Sequence, residues 1–532
     1  MRSVLALGSL ALGLCFSSMA LGAETVLDLS GTVPDDALRH FFVELDVPAG
    51  IKEIEIAHDD LSPDNILDWG LVDEKGGFRG WGGGNGENAV VGEQAASRSY
   101  LPGPINPGKW KVVVGKALIK QKPASFSLKV TLRDAPTLAA QTTRKPYGAP
   151  PPLSTETRWY AGDFHVHSIE SGDAKPPLDE IATFAKSRGL DFVLVSDHNT
   201  VSQLDFYAEA QKKHSDFLFL PGVEFTTYWG HANAIGSTEY VDDKTELPGN
   251  SIGAAAKAFH DQGALFSINH PTLALGDACL GCAWEHDLPV DQIDAVEIGT
   301  GKFGILTDSA VGFWDDLCAK GRHLAALGGS DDHKAGVDET PTQSPIGNPT
   351  TMVDAKALSV QGIIDAVKVG RTVVKLKSPD DPMVELVSSA APTGDTIAAD
   401  ATELSATITG GVGHTARFVK NGKPAEEVEV DSDPFVLKLS ATAPASGEDR
   451  YRVEVLEGGA RRTVTSHLWL TAGGAGDAGT GGSAGAAGAG GGAADESDDG
   501  GCGCGVPRGS LVAWGSLSGL ALLVLALRRR RR

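Results

Sequence analysis

The chain has 532 residues, enough for two to four domains, with 46 lysines and arginines against 69 aspartates and glutamates. A formal charge of −23 speaks against extended nucleic acid or an anionic bilayer as the main partner. A hydrophobic content of 41% with mean hydropathy −0.08 fits globular domains rather than a multispan membrane protein.

The chain opens with "MRSVLALGSLALGLCFSSMALGAE": Arg2, a short apolar run from Val4 to Phe16, then small residues. This pattern predicts a secretory signal peptide over 1–23, cut near Gly22 or Ala23. Cys15 lies inside the apolar run and is not read as a lipidation site. From 24 to 135, short alternating runs such as "HFFVELDV", "KEIEIAHDD" and "SFSLKVTLRD" between Gly/Pro turns predict a β-sandwich accessory domain. A Pro- and Thr-rich linker covers 136–157.

Over 158–378 the texture changes to alternating strands and helices, from "YAGDFHVH" and "LDEIATFAKSRGL" to "SVQGIIDAVKVG" and "RTVVKL". Such alternation predicts a parallel sheet, and this many units predict a closed α/β TIM-like barrel. Alternating β texture returns over 379–471 as a small Ig-like sandwich. A Gly/Ala-rich tether spans 472–505 and carries Cys502 and Cys504 in "GGCGCG". Residues 506–532 combine about one bilayer span of apolar residues with Arg528–Arg532, which predicts a membrane anchor with the bulk of the chain exported. Of the other cysteines, Cys279 and Cys282 in "CLGC" are read as a short-loop disulfide before a zinc half-site; no second C-x-x-C completes a ribbon, and the state of Cys318 is left open.

The polar residues of the middle region gather at predicted strand ends. His165 and His167 stand two apart on a strand, so both point to one face and can chelate one ion. Asp197 and His198 end "LVSDHNT", Glu224 ends "PGVEF", His231 starts "HANAIG", His270 ends "SINHP", and Asp331 and His333 end "GGSDDH". Six of the fourteen histidines would thus converge at one barrel mouth. Left unpaired there, each group would cost about 1–3 kcal/mol, a cost that bound cations remove. Imidazole with carboxylate suits two or three Zn²⁺ or Mn²⁺ ions, or Fe²⁺, better than Mg²⁺ or Ca²⁺. Such ions acidify a water for attack on phosphorus or a carbonyl carbon. No G-x-S-x-G sequence stands at a predicted strand-to-helix elbow and no P-loop appears, which speaks against covalent acyl catalysis and nucleotide-driven motors as first readings.

The ordered motifs "GDFHVHS", "LVSDHNT", "PGVEFTTYWGHANAIG", "INHP" and "GGSDDH" resemble the polymerase-and-histidinol-phosphatase (PHP) superfamily, in particular its carbaryl-hydrolase (CehA/McbA-type) branch. The resemblance implies that His165, His167, Glu224 and Asp331 hold one ion. Glu224 would bridge to a second ion on His231 and His270, and His198 and His333 would help to hold a third. A ligand for that third ion lies in an "SDG" element in many members; here the element reads "SGDA", which shifts Asp173 by one position and brings in Glu170 as an alternative donor. Catalytic roles would fall to Glu224, Asp331 and His270, with Asp197 orienting a histidine or acting as general acid; spacing does not choose between Asp197, His286 and Asp332 for the acid. The implied function is a metal-dependent hydrolase, first of phosphomonoesters or phosphodiesters, second of carbamates or carboxylic esters, with a small phosphorylated ester as substrate. A non-catalytic surface binding protein is the reading from another class. The final thirty or so residues resemble MYXO-CTERM sorting tails, which implies processing machinery and a place at the cell surface.

Overall fold

The structure is a computed structural model that describes residues 23–301, 306–336 and 344–473. The expected signal peptide, tether, Cys502, Cys504 and terminal span lie outside those residues. Among the described residues, no helix is long and apolar enough to cross a membrane.

The first 110 or so described residues form two four-stranded antiparallel sheets. One runs Glu24–Thr32, Ser125–Arg133, Glu53–Asp59, Ala89–Gly92; the other runs His40–Val47, Gly108–Leu118, Ile66–Val72, Phe78–Gly83. Alternation does the sorting: in His40–Val47, Leu45 and Val47 are buried while Glu44 and Asp46 face solvent. Inward residues of both sheets, among them Trp69, Trp110, Ile54 and Val130, merge into one core.

Past the linker, a mixed sheet of sixteen strands takes over. Its central order is Ala325–Gly329, Ala295–Thr300, Leu265–Ile268, Gly230–Ile235, Leu218–Thr227, Phe192–Val195, Arg158–Val166, Thr350–Ala355, Thr372–Lys375. The expectation of an all-parallel sheet is corrected here. Gly230–Ile235 runs antiparallel to both of its neighbours, and so does Thr350–Ala355. Only Tyr228 and Trp229 separate Leu218–Thr227 from Gly230–Ile235, and so short a link makes a hairpin rather than a crossover. No continuous ladder closes this sheet between its first strand and Arg158–Val166. The first strand of this order returns to Arg158–Val166 through a single isolated bridge, Val166 to Asp332, and a hydrogen bond from Asp331 N to His165 O. The ladder instead continues from Thr372–Lys375 into Ala460–Thr465, with Val373 opposite Thr465.

Helices Leu178–Ser187, Ile252–Asp261, Thr307–Cys318 and Val360–Lys368 cover the sheet with amphipathic faces. On the first of them Leu178, Ile181, Ala182 and Ala185 are buried. Ser251 and Ser359 cap Ile252–Asp261 and Val360–Lys368, each accepting from a backbone N–H three residues on. Beyond Lys375, Met383–Ser388, Ala401–Thr409 and Phe435–Thr442 form a three-stranded sheet. Its inward residues share a core with strands that belong to the large sheet, so the C-terminal strands are built onto the middle region rather than strung after it.

Candidate metal centre

The strand ends meet where the mixed sheet curls round. His165 and His167 come from the end of Arg158–Val166, and Glu224 from Leu218–Thr227. His231 lies one residue into the following strand; His198, His270, Asp331 and His333 lie in loops just past strand ends. His165, His167, Glu224, His231 and His270 are buried, while His198, His333 and Asp331 reach partial exposure.

Glu224 sits at the middle. Its Oε1 lies 3.3 Å from His165 Nε2, 3.2 Å from His231 Nδ1 and 3.3 Å from His270 Nε2, and its Oε2 lies 3.5 Å from His167 Nε2 and 2.7 Å from His198 Nδ1. Asp331 Oδ1 stands 3.4 Å from His165 Nε2 and 3.1 Å from His167 Nε2. Toward solvent, Asp173 Oδ2 lies 3.3 Å from His333 Nε2 and 3.6 Å from His198 Nε2. The shifted "SGDA" element therefore does bring Asp173 to the two histidines. Among the described residues, four groups lie at ligand distance: His165 with His167 and Asp331, His165 with Glu224 and His270, His167 with His198 and His333, and His231 with His270 and Cys282.

Most of the imidazoles are oriented through their second ring nitrogen by a carboxylate, carbonyl or hydroxyl. His165 Nδ1 is 2.9 Å from Glu297 Oε2, His270 Nδ1 is 3.0 Å from the Cys282 carbonyl, and His333 Nδ1 is 2.9 Å from the Asp331 carbonyl. These acceptors place the ring hydrogen on Nδ1 and leave the Nε2 lone pair facing the cluster, the arrangement metal-ligating histidines use. His167 Nδ1 meets Ser171 Oγ at 2.9 Å, and His198 Nδ1 meets Thr226 Oγ1 at 2.7 Å. Asn269 donates to Glu224 Oε1 at 3.1 Å. Two cluster residues, His270 at φ 27° and Asp331 at φ 55°, hold left-handed backbone that L-residues seldom adopt, a strain typical of functional sites.

The fit to metal rests on what remains unsatisfied. His165 Nε2, His167 Nε2 and His231 Nε2 are buried and make no hydrogen bond. Three orphaned groups would cost about 1–3 kcal/mol each. Burial alone would raise Glu224 and Asp331, yet the surrounding imidazoles hold both carboxyls well below the usual range, so both are anionic at neutral pH. Burial, with His333 and His198 nearby, drops His167 to about 3 and keeps it a neutral donor. Burial would lower His165, His198, His270 and His333, but the neighbouring carboxylates raise all four, His333 to about 9, so a cation bound here would displace protons from those rings. Imidazole with ionised carboxylate suits borderline divalent cations.

Several expectations change. Glu170 turns away from the cluster: its Oε2 accepts from Ser99 N at 2.9 Å and Ser202 Oγ at 2.7 Å, so it is not the alternative donor. Asp197 stays out too; both its oxygens are taken by Ser168, through N and Oγ at 2.6 Å each. Burial pushes Asp197 up to about 7, and its bonds to Ser168 shape the loop after His167. Asp332 accepts from Lys334 N and Gly336 N at 2.6 and 3.0 Å, which closes a turn. His286 meets Thr227 Oγ1 at 2.7 Å between Trp229 and Trp284, and burial followed by His231 lowers it to about 4. Cys279 and Cys282 form a disulfide, so the Cys282 sulfur near His231 and His270 is no ligand; Cys318 is free and buried, its thiol pushed up to about 12.

Sequence reasoning passed over Glu297, which orients His165, and Asp163, which accepts from His165 N, Ser330 N and Gly347 N and pins three segments together. The available signal was an acid inside an apolar strand, as in "AVEIG".

No family model and no curated protein matches the chain. Among solved structures, it is similar to a two-domain protein from Bacteroides vulgatus containing a predicted PHP-like metal-dependent phosphoesterase, at 19% identity and TM-score 0.35 over 62% of this chain and 100% of the other. An amidohydrolase from Chromobacterium violaceum aligns at 15% identity and TM-score 0.24, over 35% of this chain and 93% of its own. A Bifidobacterium adolescentis protein named as a metal-dependent phosphoesterase aligns at 15% and 0.26, over 35% and 92%. At such scores the weight of a functional reading falls on the residues themselves.

Proposed function

We propose that this protein is a metal-dependent hydrolase acting first on phosphoesters, with two or three divalent transition-metal ions held by His165, His167, His198, His231, His270, His333, Glu224, Asp331 and Asp173. The observation that carries the reading is the convergence of five imidazoles on the Glu224 carboxylate, with His165 Nε2 and His167 Nε2 buried there and making no hydrogen bond. When bound, such ions supply Lewis-acid polarisation and acidify water near neutral pH. Glu224 reaches donors on both sides of the cluster and is placed to serve two ions. Glu297 and the Cys282 carbonyl fix the tautomers of His165 and His270, which keeps their lone pairs on the cluster. Trp229 and Trp284, flanking His286, supply apolar surface beside it.

The signal-peptide pattern, together with the Cys279–Cys282 disulfide, favours work outside the cytoplasm, anchored by the C-terminal segment. A panel of p-nitrophenyl phosphate, bis-p-nitrophenyl phosphate and 1-naphthyl carbamate, each with Zn²⁺ or Mn²⁺, tests the assignment. Preferred turnover of a phosphate ester supports it, and preference for the carbamate moves the protein to carbamate and ester hydrolysis. No turnover at full metal occupancy leaves a binding protein with a metal-stabilised core.

A further inference from the structure

The loop that carries Asp173 is gripped from outside by Arg98 and Ser99, in a turn between strands Ala89–Gly92 and Gly108–Leu118 of the N-terminal module. Arg98 Nη1 donates to the Ala174 carbonyl at 2.8 Å and to the Ile169 carbonyl at 3.3 Å. The same guanidinium is held from behind by Glu87, at 2.7 and 2.8 Å through Nε and Nη2. Ser99 adds two bonds, N to Glu170 Oε2 at 2.9 Å and Oγ to Glu170 O at 2.7 Å. Ser99 is fully buried with φ 69°, an unfavourable backbone for serine that the surrounding contacts keep in place. On the other flank Gly172, at φ +83°, packs so closely that an added Cβ would stand 2.9 Å from the Gly82 carbonyl. Both chain neighbours of Asp173 are thus fixed by the first module, while its own side chain is 49% exposed and, among the described residues, pairs with His198 and His333.

We infer that Arg98 and Ser99 are positioning residues for the outer ion: the N-terminal module completes the metal centre by setting where Asp173 stands. This rests on the metal-centre reading above and goes beyond it, since it makes the first module part of the catalytic unit. A free loop would give Asp173 many positions. Fixing the carbonyls of Ile169 and Ala174 removes that freedom before an ion arrives, and preorganised donors bind more tightly. The charge-assisted grip of Arg98 on two carbonyls is the strongest of these contacts.

The test is Mn²⁺ titration of the full chain, with elemental analysis, in Arg98→Ala, Arg98→Lys, Gly172→Ala, Asp173→Ala and the double variant Arg98→Ala/Asp173→Ala. Arg98→Ala is expected to weaken the last ion bound by about 10–100-fold, the range seen when a ligand's supporting partner is removed, with the tighter ions retained. Arg98→Lys keeps one donor and should recover part of the loss; Gly172→Ala should mimic it by pushing the loop off Gly82. In the Asp173→Ala background, Arg98→Ala should change nothing further, which a general loss of fold would not reproduce. Unchanged affinity for the last ion in a folded Arg98→Ala variant overturns the positioning role, as do additive effects in the double variant. Wild-type protein that binds no ion fails one step earlier: it removes the metal centre and this inference together.

Discussion

Glu224 is the residue on which the cluster turns, because one carboxylate lies within 3.5 Å of five imidazoles. Glu224→Ala should therefore lose more than one metal equivalent by elemental analysis; loss of one at most would show that the carboxylate serves a single ion. His165→Ala and Asp331→Asn should abolish hydrolysis while the chain still melts cooperatively, with a lower melting temperature once bound metal no longer favours the native state. Wild-type turnover with reduced metal in either variant would place the chemistry elsewhere. Glu297→Ala is a subtler probe. It removes the acceptor that fixes the His165 tautomer and should weaken metal binding by about 10–100-fold without removing any ligand.

At the scale of elements, the site exists because two strands that are far apart in sequence lie almost backbone to backbone. A Cβ on Gly329 would stand 2.8 Å from the backbone nitrogen of His165 and nearer still to its Cβ. No side-chain rotation relieves a contact with backbone, so Gly329→Ala should cost about 1–3 kcal/mol or more by denaturant unfolding and should displace His165. Stability and metal content should fall together; unchanged metal affinity would mean that the two strands tolerate separation. The hairpin at Tyr228 and Trp229 works in the same way. By turning the chain at once, it sets His231 beside Glu224, with Thr226 opposite His231 in the register.

At the scale of the whole molecule, the C-terminal strands are tied to helix Thr307–Cys318 by a buried ionic junction. Asp315 accepts from Arg452 Nη1 at 2.8 Å, and His467 stacks on Trp314 at 4.1 Å. Burial would raise Asp315, but His467 and Arg452 lower it to about 2; burial also lowers His467 to about 3. Both shifts have one sign. As pH falls below about 6.5, the unfolded chain protonates its histidine while the folded chain holds His467 neutral, so stability drops. Below about 4 the Asp315 contribution is lost as well. His467→Gln should reduce the stability lost between pH 7 and pH 4.5 by about 2 kcal/mol in metal-free protein, measured by denaturant unfolding; an identical loss in both proteins would remove His467 from the account. A chain ended at residue 473 should keep its fold and metal content, because Leu468–Thr471 already pairs with Thr396–Ala398 and Glu448–Glu457.

Local pattern alone determined much of this protein. The apolar faces of the helices, the alternation of the outer strands and the placing of histidines and acids at strand ends follow from side-chain period and burial, which any short window of sequence carries. Those windows also picked out His165, His167, His198, Glu224, His231, His270, Asp331 and His333 at strand ends; grouping them rested on the expected barrel mouth and on the family resemblance. Tertiary structure decided the rest. Whether Asp173 or Glu170 faced the histidines depended on contacts with Arg98 and Ser99, some seventy residues earlier in the chain. Asp197 spent its oxygens on Ser168, and Glu297 turned toward His165 across 132 positions. A carboxylate has the same local signature whether it binds an ion, closes a turn or orients a ring; only the partners that folding delivers, over distances no local period encodes, separate these roles.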